Sequence, residues 1–246
     1  MTGSTVRPAV GVPLSVAMPV YNEEGAIALA LAEVEQFVLP LVAGAELVVV
    51  NDGSQDGTGR LLDDAAARNP RIRVIHQKNS GHGGALMAAL EASRGEYLFL
   101  IDSDRQIPLD NFPAAWALIQ SGRDGVFGER RHRHDAALRL YLTRVVRAAV
   151  TFLFGVPMFD ANVPYKLVRR SIWESARACI PTDTLAPSLF LAIFARTRGY
   201  DIANIEVVHK ERGSGEVSIR RLKLLKFCAR GFRQLLMFRR CLTRGS

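Results

Sequence analysis

The chain has 246 residues, of which 48% are hydrophobic, enough to bury one substantial core and better suited to one large α/β domain than to two small ones. A formal net charge of +8 points to an anionic partner, whether nucleic acid, a phosphorylated substrate or acidic lipid. Cys179, Cys228 and Cys241 stand far apart with no Cys-x-x-Cys pair, which argues against a disulfide framework and a zinc cluster and suits a reducing cytosol.

Residues 1–12 read as a flexible, proline-bearing N-terminus without the continuous apolar stretch of a secretory signal. Leu14 to Met18 reads as a short buried strand, Pro19-Val20-Tyr21-Asn22-Glu23-Glu24 as a loop, and the pattern to about Val38 as a helix. Ala45 to Val50 is a second strand, ending at Asn51-Asp52-Gly53-Ser54-Gln55-Asp56-Gly57-Thr58, whose residues form turns and cap helices; a helix follows to about Arg68. Ile72 to His76 makes a third strand, Asn79-Ser80-Gly81-His82-Gly83-Gly84 a turn, Ala85 to Ser93 a helix, and Glu96 to Ile101 a fourth strand. This alternation predicts a three-layer α/β fold with a mainly parallel central sheet, in which ligands bind at the carboxyl ends of the strands.

Beyond Asn111 the pattern loosens into a helix near Phe112 to Ser121, a strand at Asp124 to Gly128 and the basic run Glu129-Arg130-Arg131-His132-Arg133-His134. Ala136 to Phe154 reads as a helix, Tyr165 to Val168 as a strand after Asp160, two apolar helices flank Pro181, and Ile202 to Val208 is a last strand. Residues 219–246 read as a separate basic amphipathic C-terminal helix, suited either to an anionic lipid surface or to packing on the core, after a main domain of residues 13–218. The longest apolar stretches fall short of the roughly 20 residues needed to cross a bilayer. Basic residues without interleaved stacking aromatics, and no recognised module, argue against a nucleic-acid partner.

The chemistry concentrates at Asp102-Ser103-Asp104-Arg105-Gln106, directly after the fourth strand. In an extended chain alternate residues share a face, so Asp102, Asp104 and Gln106 would converge on one hard cation, although an ordinary acidic turn reads equally well. An EF-hand is excluded, because Ile107 and Pro113 stand where that loop needs Gly and Glu. A dinucleotide-binding motif is excluded too, since Pro19 to Glu24 contains no glycine.

The four loops at Pro19 to Glu24, Asn51 to Thr58, Asn79 to Gly84 and Asp102 to Gln106 occur in the order seen in glycosyltransferase family 2, which the chain resembles from about residue 14 to 220. Gly128-Glu129-Arg130, Asp160 with Lys166 and Arg169-Arg170, and Arg212-Gly213-Ser214-Gly215-Glu216-Val217-Ser218 look like its polyprenyl-phosphate branch, typified by dolichyl-phosphate mannose synthase. The resemblance implies a GT-A fold. It implies an inverting transfer of a hexose, mannose favoured, from a GDP- or UDP-linked sugar to a polyprenyl phosphate by a peripheral enzyme on the cytoplasmic face of the cell membrane. Pro19, Tyr21, Glu23 and Asp52 would hold the nucleoside, Asp102, Asp104 and Gln106 a Mg²⁺ or Mn²⁺ ion, and Arg130 and Arg144 the phosphates, because guanidinium pairs with phosphate in bidentate fashion. Asp104, Arg130 and Asp160 are the candidate catalytic residues, Asp160 at the metal or acceptor, with a turn role equally open. His82 has no role assigned.

Relatives with soluble acceptors carry a Glu-Asp pair as base, where this chain has Asp183-Thr184-Leu185-Ala186-Pro187 with a single acid. A phosphate acceptor needs no base, since its second pKa near ~6 leaves it largely dianionic at neutral pH. Two alternatives stay open: transfer to a sugar, protein or small-molecule acceptor, and a non-catalytic nucleotide-binding or membrane-surface protein.

Overall fold

A computed structural model describes residues 12–130, 147–156, 163–184, 186–209 and 221–244. Seven strands, Leu14–Val20 (β1), Glu46–Asn51 (β2), Ile72–His76 (β3), Tyr97–Ile101 (β4), Gly125–Arg130 (β5), Tyr165–Arg169 (β6) and Ile202–Val207 (β7), form one sheet in the order β3-β2-β1-β4-β6-β5-β7. The first four are parallel, as three successive crossovers require. They are joined by the helices Ile27–Phe37 (α1), Thr58–Arg68 (α2) and His82–Ala92 (α3). Beyond them, β6 runs antiparallel between β4 and β5, and β7 pairs parallel to β5.

β1 and β2 are buried along their whole length, as expected for strands covered on both faces. Their alternation sorts side chains into two cores. Val16, Met18, Leu47, Val49, Phe99 and Tyr165 face α1, α2 and the helix Phe112–Gln120 (α4), while Ala17, Val48, Val50, Leu98, Leu100 and Val168 face the opposite layer. That layer contains α3, a helix at residues 147–154 (α5), Arg170–Arg177 (α6), Pro187–Thr197 (α7) and the C-terminal part of Arg221–Arg244 (α8). The three-layer α/β architecture read from the alternation is thus the one observed.

The end of α8 is built into this second core. Gln234, Leu235, Phe238 and Leu242 are buried, and the Phe238 ring lies 5.0 Å from Phe190 and 6.0 Å from Phe154. Arg230 reaches Asp183 at 3.1 Å, and Gln234 donates to the Asp183 carbonyl at 2.9 Å. Cys241 of α8 is disulfide-bonded to Cys179, just past α6, with Cα atoms 5.5 Å apart. The cysteine reading is corrected here. A pairing across 62 residues has no spacing signature and arises only because α8 folds back onto the α6–α7 connection. Among the described residues, no helix is long and apolar enough to cross a membrane.

Candidate functional site

The strand order places β1 beside both β2 and β4, so their outgoing loops separate and leave a crevice at the carboxyl edge. A cavity of about 390 Å³ occupies it. Pro19, Val20, Tyr21 and Glu23 line it from β1 and its loop, and Asp52 from the end of β2. Asn79, Gly81, His82 and Ala85 contribute from the entry to α3, and Asp102, Ser103 and Asp104 from the end of β4.

Two of these loops are clasped by reciprocal hydrogen bonds. The Asn22 N–H donates to Ser54 Oγ at 3.0 Å, Glu23 N–H to Thr58 Oγ1 at 2.9 Å, and Glu24 N–H to Asp56 Oδ2 at 3.2 Å. In return Gln55 N–H donates to Asn22 Oδ1 at 2.8 Å and Gly57 N–H to Glu24 Oε2 at 2.9 Å. Asn22 adopts φ 52°, a left-handed conformation that Asn tolerates better than most residues. The bend puts its neighbours Tyr21 and Glu23 on the cavity wall. Burial alone would raise the Asp56 pKa, but the Thr58 hydroxyl and the N–H groups of Thr58 and Glu24 together hold it below its ordinary 3.8.

Asp52 joins the second loop to the third. Only 2% exposed, its carboxylate accepts from Gln77 Nε2 at 2.7 Å, from Ser80 N–H at 2.8 Å and Oγ at 3.1 Å, and from Gly81 N–H at 2.8 Å. These bonds fix the start of α3. Gly53 at φ 74° lets the loops close up, since a Cβ there would lie 2.9 Å from Asn79 N. Capping of α2 falls to Asp56, whose Oδ1 accepts from Thr58 N–H at 3.1 Å.

After β4 the chain turns. The extended geometry expected to align Asp102, Asp104 and Gln106 ends with the strand at Ile101; Ser103 and Asp104 already lie in a turn, Asp104 Oδ1 accepts from Gln106 N–H at 3.1 Å, and Arg105 sits at φ 56°. Asp102 and Asp104 line the cavity; Gln106 is not among its lining residues. Arg105 points away and grips Glu33 of α1 at 2.7 Å, anchoring the turn. His82 Nε2 stands 3.6 Å from Asp102 Oδ1. Sequence reasoning missed it because a lone histidine among glycines carries no periodic signal, although its place at a strand-end loop was visible.

Arg130 ends β5, half-buried and not among the cavity's lining residues. Arg144, Asp160, Arg131, Arg133, Arg139 and the segment Arg212 to Ser218 lie outside the described residues. Among the described residues no group of three His, Cys, Asp or Glu side chains could hold an ion by itself. Two carboxylates facing a shared cavity nevertheless suit a hard cation that takes its remaining oxygens from a bound diphosphate and water, the usual mode for Mg²⁺.

Residues 15–185 match the family model described as Glycosyl transferase family 2. The chain belongs to that family. Among curated relatives it is 35% identical over 214 residues to the undecaprenyl-phosphate 4-deoxy-4-formamido-L-arabinose transferase of Pseudomonas aeruginosa (strain LESB58), covering 86% of this chain and 62% of the relative. The transferase of the same name from Shewanella sediminis (strain HAW-EB3) is 32% identical over 205 residues, covering 82% of this chain and 60% of that protein. This chain therefore spans about three fifths of those relatives' length.

Among solved structures, Mycobacterium tuberculosis glucosyl-3-phosphoglycerate synthase in complex with UDP superposes with a TM-score of 0.68 at 22% identity, over 94% of this chain and 81% of that one. The same enzyme with Mn²⁺, UDP-glucose and phosphoglyceric acid gives 0.65 at 23%, over 94% and 80%. Staphylococcus aureus TarS 1–349 gives 0.57 at 20%, over 79% and 58%. The fold of the protein is GT-A.

Proposed function

We propose that the protein is a metal-dependent, inverting glycosyltransferase that moves a sugar from a nucleotide diphosphate donor to a polyprenyl phosphate at the cytoplasmic face of a membrane. The observation that carries this reading is the meeting of Asp102 and Asp104 with Tyr21, Glu23 and Asp52 in one cavity at the β1–β4 crevice. The names of the relatives, polyprenyl-phosphate sugar transferases, support the acceptor class.

In this reading Pro19, Tyr21 and Glu23 receive the nucleoside, and Asp52, whose oxygens are engaged by the Ser80–Gly81 segment, shapes that pocket through the loop it holds. Asp102 and Asp104 hold Mg²⁺ or Mn²⁺, which screens the diphosphate and stabilises it as a leaving group. Arg130 and Arg144 neutralise phosphate charge, and Asp160 serves the acceptor side. Asp183, the single acid where soluble-acceptor relatives have a pair, is engaged by Arg230 and Gln234. A phosphate acceptor that is already ionised removes the need for a base.

A hexose such as mannose is the sugar the sequence resemblance favours, whereas the relatives are named for formamido-arabinose, so the assay compares both. The membrane side is served by α5 and α8, where Phe152 is 86% exposed and Phe232 and Met237 are each 50% exposed beside exposed Arg233, Arg239 and Arg240. Incubation with GDP-mannose, UDP-glucose or a UDP-linked formamido-arabinose, Mn²⁺ and a short polyprenyl phosphate is expected to give a glycolipid. Asp104→Ala should lower the rate about 100-fold or more, on the scale of a lost charge-stabilising metal contact. No product from any donor would contradict the reading.

A further inference from the structure

A run of hydrogen bonds leads from an exposed carboxylate on α2 through His76 and Asn51 to Ser54, and the donor of each is determined. Ser54 N–H can only donate, so the Asn51 atom that it meets at 3.1 Å is Oδ1. The Asn51 amide, only 5% exposed, therefore turns Nδ2 toward His76 Nδ1 at 3.0 Å. An amide nitrogen donates, so His76 Nδ1 must accept and the ring proton sits on Nε2. Asp63 Oδ1 accepts that proton at 2.9 Å. At the other end Ser54 Oγ accepts from Asn22 N–H, and Asn22 Oδ1 accepts from Gln55 N–H, holding the bend that carries Tyr21 and Glu23. Gly59 of α2 leaves room for the pair, since a Cβ there would lie 3.1 Å from Asn51 Nδ2.

We propose that His76 is a positioning residue for the donor nucleotide: its Nδ1, an acceptor while Nε2–H bonds Asp63, holds Asn51 Nδ2 and, together with Ser54 N–H at the amide's other end, keeps Asn51 in the orientation that supports the Asn22–Ser54 clasp at the nucleoside end of the cavity. His76 does not line the cavity and touches no substrate. Its effect is on the pre-organisation of the wall, so it acts on binding and leaves the chemical step alone. The inference rests on the donor reading given above.

The test compares the full chain with His76→Phe, which keeps a ring and removes both nitrogens, and His76→Gln, which restores one acceptor and one donor in a planar group. UDP and GDP are titrated calorimetrically with Mn²⁺, KM and kcat are measured for the donor, and amide exchange is followed at Asn22, Ser54 and Gln55. His76→Phe is expected to weaken nucleotide binding and raise donor KM by about threefold to tenfold, the scale of one lost hydrogen bond, with kcat within about twofold. Its amide exchange should quicken at those three positions, and His76→Gln should recover most of both effects. Wild-type binding with an unchanged His76→Phe variant, or a fall in kcat at constant KM, would overturn the inference alone. A wild-type chain that binds neither nucleotide would overturn the donor reading and the inference with it.

Discussion

Asp52 shows how one buried carboxylate on a cavity wall can also organise the loops around it. Its bonds to Gln77, Ser80 and Gly81 tie the loop after β2 to the start of α3. Asp52→Ala removes the charged acceptor of Gln77 Nε2 and of the Ser80 and Gly81 N–H groups and is expected to destabilise the protein by about 1–2 kcal/mol and weaken nucleotide binding, measured by chemical denaturation and by titration. Asp56 makes a pH prediction. Because its native pKa lies below the ordinary 3.8, the ionised group stabilises the clasp above that value, and the stabilisation is lost as pH falls through the lowered native value. The Asp56 contribution to nucleotide affinity should therefore persist at pH 3.8 and be lost only below it, as pH falls through the lowered native value, and Asp56→Asn should already show the weakened affinity at pH 7, which titration would reveal.

At this scale the place of Asp102 and Asp104 at the end of β4 was legible from the apolar run before them, although it is a turn and not strand alternation that brings both to the cavity. The turn at Ser103–Asp104 and the left-handed Arg105, which nothing in the residue type foretells, leave Gln106 outside the cavity's lining residues. The approach of His82 to Asp102 had no sequence signal, being a contact between the first residue of α3 and the end of β4 that only the folded sheet brings together.

Among the elements, the sequence of α8 suits either a lipid surface or packing on the core; Gln234, Leu235, Phe238 and Leu242 of its C-terminal part pack into the second core, and what no spacing announced is the bond of Cys241 to Cys179. A disulfide closing a loop of this size typically contributes about 2–4 kcal/mol. Reduction, or Cys241→Ser, is thus expected to lower Tm by roughly 5–15 °C, whereas Cys228→Ser should not remove the reduction-sensitive step. Differential scanning calorimetry with and without reductant would decide it. The strands and crossovers of the first half were legible from their periodicity and turn residues. The antiparallel insertion of β6 between β4 and β5 was not, because pairing partners so far apart leave no local pattern.

At the scale of the whole molecule the cavity lies at the carboxyl edge of the sheet, while α5 carries exposed Phe152 and α8 exposed Phe232, Met237, Arg233, Arg239 and Arg240. In the proposed membrane role these residues would engage an anionic bilayer surface, where apolar insertion and charge attraction add. Vesicles containing anionic lipid should sediment the protein, neutral vesicles should do so weakly, and Phe152→Glu with Phe232→Glu should release it without changing nucleotide affinity. Co-sedimentation at two salt concentrations would separate the charge and apolar contributions, since only the former is screened.

The most direct measurement is a side-by-side transfer assay with the same donor and Mn²⁺, using polyprenyl phosphate, the corresponding polyprenol and a soluble sugar as acceptors, with Asp104→Ala as the blank. Product should form with the phosphate and not with the polyprenol or sugar, and its rate should fall about 100-fold or more in Asp104→Ala. Equal transfer to the polyprenol or to the sugar, or transfer by Asp104→Ala at close to the wild-type rate, would contradict a mechanism in which the acceptor brings its own charge to a metal-bound donor.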